Sequence, residues 1–199
     1  QFVWTGFDYL GEPTPYDEYW PSRSSYFGIC DLAGLPKDRY YLYRSQWNRK
    51  DHTLHILPHW NWKRGDEVPV MVYTDFPEAE LFLNGRSLGR QKKQPYTISS
   101  GTAEQTKSLV ETKALLRRYR LIWDAVKYEP GELRVVAYDA EGRPAMEKTM
   151  RTAGAPVALK LEADRSAIKA GGDDLSFITV SMLDSRGTLC PDASDKVAL

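Results

Sequence analysis

Four carboxylates, Asp8, Glu12, Asp17 and Glu18, stand among Trp4, Tyr9, Tyr16, Tyr19 and Trp20 at the start of this chain. Carboxylates beside aromatic platforms have the chemistry of a sugar-processing site. The acids can serve as general acid and as nucleophile or base, while a ring stacks on the apolar C–H face of a pyranose. A plainer reading competes with it: the acids of a polar loop are solvated and the rings pack against the helix that follows. Composition by itself leans to the plainer reading.

Other groupings carry less. His52, His55 and His59 are spaced by three and four, which on a helix would make a metal-binding face. The surrounding "HTLHILPHW" is β-prone and contains Pro58, so an extended segment is expected, with residues 52 and 55 on opposite faces. No metal site is expected, and no cofactor. His59, Trp60, Asn61 and Trp62 could form a sugar platform, with packing between domains as the stronger reading. Arg86, Arg90, Lys92, Lys93, Lys113, Arg117 and Arg118 make one stretch basic, which usually means a solvated face. No Gly-x-Ser-x-Gly elbow is present, and Cys30 and Cys190 read as two independent packing cysteines.

The elements that must position these groups fall into three stretches. Residues 2–5, Phe-Val-Trp-Thr, read as a short buried strand ended by Gly6. A loop with Gly11, Pro13, Pro15 and Pro21 leads to a helix that starts at Pro36 and runs to about Trp47, with Tyr40, Tyr43 and Trp47 on one face. This is one β/α unit, and a lone unit cannot bury its own faces. From residue 52 the chain turns to short strands: "EVPVMVYT", "EAELFLNG" with a hairpin turn at Asn84-Gly85, "YRLIWDAV", "GELRVVAYD" and "PAMEKTMRT". Between them, the polar residues 86–118 read as a long surface excursion with a short helix in its middle. A small-residue linker at Ala153-Gly154-Ala155-Pro156 opens a last stretch of about four strands, too few for the roughly seven of a sandwich. The fold class expected is mainly β: immunoglobulin-like sandwiches preceded by one β/α unit.

The 199 residues hold 27 basic and 27 acidic side chains, so no global field draws the chain to nucleic acid or to an anionic membrane. No apolar run approaches the ~18–20 residues of a transmembrane helix.

Taken together, "QFVWTGFDYLGEPTPY", "SSYFGICDLAGLPKDRYYLYRSQW" and "LHILPHWNW" resemble the end of the catalytic barrel of family-two glycoside hydrolases. Within that family the likeness is to multi-domain β-galactosidases of Bacteroides type. The resemblance implies that residues 1–50 are the last strand, loop and helix of a (β/α)8 barrel. Residues 51–152 would be an accessory immunoglobulin-like sandwich and residues 153–199 the start of a further such domain. Trp4 matches the family's sugar-pocket aromatic, and Asp8 an acidic position found in part of the family. Glu12 and Tyr16 are candidates for substrate binding through the loop they occupy. In the family, one catalytic Glu follows an Asn and a second lies on the seventh strand; Asn48, Asn61 and Asn84 here precede Arg, Trp and Gly. The expectation is therefore a C-terminal segment of a retaining β-galactosidase that is inactive alone. Its expected partners are carbohydrate, the rest of the barrel and, as a further candidate, a second copy of the chain. The resemblance points to a periplasmic or secreted parent. The rival reading is a non-catalytic carbohydrate-binding or structural sandwich module.

Overall fold

The structure is a computed structural model that describes residues 2–11, 24–95 and 115–197. Among the described residues, helix α1 (Asp38–Trp47) precedes nine strands: β1 (Leu54–Leu57), β2 (Glu67–Thr74), β3 (Glu78–Leu83), β4 (Arg86–Lys92), β5 (Leu121–Lys127), β6 (Glu132–Tyr138), β7 (Pro144–Arg151), β8 (Ala158–Ala163) and β9 (Ile178–Leu183); residues 115–119, before β5, are also helical. All strand pairings between these elements are antiparallel. One sheet has the order β1-β2-β5, a second β4-β3-β6-β7, and β8 pairs only with β9.

The alternation of side chains explains the two larger sheets. Along β3, every second residue (Ala79, Leu81, Leu83) is buried, and β6 turns Leu133, Val135 and Ala137 to the same interior. From the other sheet, Leu54, Ile56, Val70, Val72, Leu121 and Trp123 enter the same core. Two sheets closed on one apolar layer make a sandwich arrangement, and each fully buried Leu or Val contributes about 1.5–3 kcal/mol by leaving water. Pro69, which has no N–H to give a ladder, falls where the β2–β5 register shifts between Val68 and Val70. At the β3–β4 hairpin both turn residues have positive φ, Asn84 at 51° and Gly85 at 81°, as a tight primed turn requires.

Three expectations need correction. The polar stretch after Gly85 is not an excursion throughout: residues 86–92 form β4, at the edge of its sheet, where charged side chains are tolerated because one side of the strand faces water. Residues 2–5 are not paired as a strand, and Phe2 and Trp4 are exposed while Val3 and Thr5 are half-buried. The last stretch shows two strands and an isolated bridge between Leu183 and Leu189 rather than four strands.

The helix begins two residues after Pro36, and Lys37 is its N-cap. It docks on the sandwich through Asp38, Tyr41 and Arg44. Tyr41 stacks on His55 with ring centroids 3.9 Å apart, Asp38 Oδ1 lies 2.7 Å from His55 Nε2, and Arg44 Nη1 donates to Thr53 Oγ1 at 2.7 Å. Tyr43 and Trp47 stack on each other at 4.6 Å, on the part of the helix that leaves Trp47 exposed.

Candidate functional site

The segment before the helix is held by a short run of backbone bonds. Ile29 N–H donates to Thr5 O, Cys30 N–H to Gly6 O and Asp8 N–H to Cys30 O, all between 2.9 and 3.1 Å. Phe7 and Cys30 form an isolated parallel bridge. Residues 5–8 and 28–30 run so close that a Cβ on Gly28 would collide with the backbone of Phe7, Asp8 and Cys30, so glycine is required there.

Trp4 projects from this tie with 75% of its surface open. Its indole N–H donates to Tyr9 Oη at 3.3 Å, and the two rings meet edge to face at 6.4 Å. The peptide bond after it, Trp4–Thr5, is cis. The indole is thus oriented by Tyr9 and remains uncovered. An exposed, oriented indole of this kind can stack on the C–H face of a sugar ring.

Asp8 points the other way. It is 8% exposed; its Oδ1 accepts from Gly28 N–H at 2.8 Å and from Lys37 Nζ at 2.7 Å, and Oδ2 lies 2.6 Å from the same ammonium. Because Lys37 is the N-cap of α1, this pair joins the Trp4 segment to the start of the helix. Ser25 adds a second tie, its Oγ accepting from Tyr9 N–H at 3.1 Å. Glu12 and Tyr16 lie outside the described residues. Sequence reasoning missed Tyr9 and Lys37 as supports: a lysine 29 residues from its acid leaves no local signal.

The three histidines do separate jobs. His52 Nδ1 lies 2.6 Å from Asp75 Oδ2, His55 joins α1, and His59 stacks flat on Trp62 at 5.0 Å. Among the described residues no group of three or more His, Cys, Asp or Glu has the geometry to hold a metal ion. Trp60 is 1% exposed in the sandwich core, with its N–H donated to Glu129 O at 3.1 Å, so it cannot serve as a sugar platform. Much of the basic stretch is paired internally: Arg90 and Lys92 with Glu78, Arg86 with Glu129, and Arg117 with Asp124. Cys30 and Cys190 are both free thiols.

Comparison with known proteins gives a consistent family. Residues 159–199 match the glycoside hydrolase family 2 C-terminal domain 5, and residues 65–146 match a domain of unknown function. A β-galactosidase of Bacteroides ovatus is 46% identical over 198 residues, covering 99% of this chain and 20% of that protein. A putative β-glucuronidase of Formosa agariphila is 35% identical over 199 residues, covering 98% of this chain and 17% of its own length. Among solved structures, a β-glycosidase from Bacteroides vulgatus aligns with a TM-score of 0.75 at 35% identity, over 98% of this chain and 21% of that one.

The chain thus resembles, over nearly all its length, the C-terminal part of family 2 glycoside hydrolases, as the motifs around Trp4 implied. It spans about a fifth of the length of the curated relatives it matches.

Proposed function

We propose that this chain is the C-terminal segment of a retaining β-galactosidase of family 2 that hydrolyses terminal β-galactosides. The observation that carries the reading is the 46% identity, along the whole chain, to a β-galactosidase. Residues 1–50 act as the last strand, loop and helix of the catalytic (β/α)8 barrel, and the sandwich of β1–β7 buttresses them through α1. The pair β8–β9 opens a further immunoglobulin-like domain. In such a barrel the ends of the strands and the loops after them line the active site, which is where this assignment puts Trp4.

Trp4 is the substrate-stacking residue of this segment. Asp8 serves the same site as a positioning residue: its contacts are internal, and it fixes the Trp4 segment to Gly28 and Lys37. Retaining hydrolysis needs two carboxyl groups about 5–5.5 Å apart. The family's Asn-Glu acid/base motif does not occur in this sequence, so the pair belongs to other parts of the parent and the chain alone is inactive. The rest of the barrel is the partner that covers Phe2, Phe7, Leu10 and Trp47, all exposed in this chain.

The test is Trp4→Ala in the complete enzyme. Loss of one stacking contact is expected to lower kcat/KM for an aryl β-galactoside about tenfold, with Trp4→Phe retaining part of it. Unchanged kcat/KM in Trp4→Ala would remove Trp4 from the sugar site.

A further inference from the structure

A cleft lies far along the chain from Trp4, where the sandwich meets the β8–β9 unit. It has a volume of about 620 Å³ and is lined by His59, Asn61, Trp62, Lys63, Asp66 and Asp192. That size lies within the roughly 300–1,000 Å³ of small-molecule sites. From the structure we infer that this cleft binds a neutral oligosaccharide, with Trp62 as its stacking platform.

The aromatic wall is preset. Trp62 and His59 are parallel within 3°, and the indole N–H donates to His59 O at 2.8 Å. His59 Nδ1 accepts from Asn61 N–H at 3.2 Å, which leaves the ring proton on Nε2 as a free-standing donor. Trp62 stays 41% exposed, in contrast to its neighbour Trp60 in the core. A ring held rigidly and left open to water has the form that stacks on a pyranose at low entropic cost.

Polar groups face the same space. Among the described residues, the Lys63 ammonium and the Asp192 carboxylate have no hydrogen-bond or ion-pair partner shown, and Asp66 uses one oxygen, Oδ2, to accept from Lys63 N–H. An ammonium donates, carboxylates accept, and sugar hydroxyls do both. Two carboxylates against one ammonium disfavour an anionic glycan, which selects a neutral one.

The cleft depends on the joint between the two units, and that joint is fastened from both sides. The Asn61 side chain forms a two-way clasp with Ala153: Nδ2 donates to Ala153 O at 3.1 Å and Oδ1 accepts from Ala153 N–H at 2.9 Å. Thr152 Oγ1 donates to Trp60 O at 2.8 Å. From the other unit, Asp184 accepts from Gly154 N–H at 2.8 Å, and Arg186 Nη2 donates to Thr152 O at 2.8 Å. Residues 152–154 are therefore gripped by both units, so the joint beside the cleft is not a swinging linker.

The choice of probe, a β-1,4-linked galactotetraose, rests on the function proposed above; the cleft itself does not. Titration of the purified chain, read by calorimetry and by saturation-transfer NMR, is expected to show binding. Affinity should fall about tenfold in Trp62→Ala and fall in Asp192→Ala. Thermal unfolding of each variant confirms that the fold persists. Absence of binding, or binding indifferent to both Trp62→Ala and Asp192→Ala, would overturn the proposal. Failure here would leave the Trp4 assignment standing, because that is read in turnover by the complete enzyme.

Discussion

The carboxylate of Asp8 stands in a loop whose composition suits sugar binding, yet both of its oxygens are engaged inside the protein. Asp8→Ala would leave the Gly28 N–H and the Lys37 ammonium without their acceptor, and bonds of this charged kind contribute about 1.5–3 kcal/mol. The expected outcome is a loss of about 2–3 kcal/mol in urea unfolding. Unchanged stability together with weaker sugar affinity would mean that Asp8 contacts substrate directly. Lys93 provides a test in pH. Its Nζ donates to Thr74 O at 2.5 Å, and burial pushes its ammonium down from 10.5 to about 8, against the opposing pull of Asp75. Between those values the unfolded chain keeps a proton that the folded chain has shed, so stability rises with pH across the window. The melting temperature of the unmodified chain, relative to Lys93→Met, is expected to climb from pH 7 to pH 10; a constant difference would show that Lys93 is not desolvated.

At the scale of elements, legibility followed physical pattern. Strands β2, β3, β6 and β7 could be read from alternating side chains and from turn residues, and Asn84-Gly85 from its tolerance of positive φ. Strand β4 could not, because an edge strand rich in Arg and Gln reads as polar loop. Residues 2–5 read as a buried strand from their apolar run, but burial of such a strand needs neighbours on both sides, and none of the described strands pairs with them. Trp4 was legible as a candidate only through motif resemblance; its exposure, its orientation by Tyr9 and the Asp8–Lys37 tie are tertiary and left no spacing signal. One glycine illustrates a tertiary constraint of the same kind. Gly131 has φ +141°, and a Cβ there would strike Asn84 Oδ1, which accepts from Glu132 N–H at 2.8 Å. Gly131→Ala therefore strains the backbone and dislodges the hairpin's own clasp. It is expected to cost about 1–3 kcal/mol by thermal or urea unfolding. A neutral result would mean that the β3–β4 turn and the β5–β6 connection adjust independently.

For the whole molecule, the exposed apolar side chains among the described residues include Phe2, Phe7, Leu10 and Trp47 in the segment up to the end of α1, and Leu159, Leu161, Phe177 and Ile178 in and beside the β8–β9 pair. The sandwich between them closes its own core. This distribution agrees with the proposed role of the chain as part of a larger enzyme, in which Trp4 is the proposed contact in the catalytic barrel and Trp62 the proposed independent contact for glycan. The central claim is that the chemistry of β-galactoside hydrolysis resides in the complete enzyme and not in these 199 residues. Release of nitrophenol from p-nitrophenyl β-galactoside, measured for the purified chain beside the complete enzyme, tests it directly. Release by the complete enzyme and none by the chain is the expected result; release by the chain that survives repurification, or a complete enzyme inert toward β-galactosides, would contradict it.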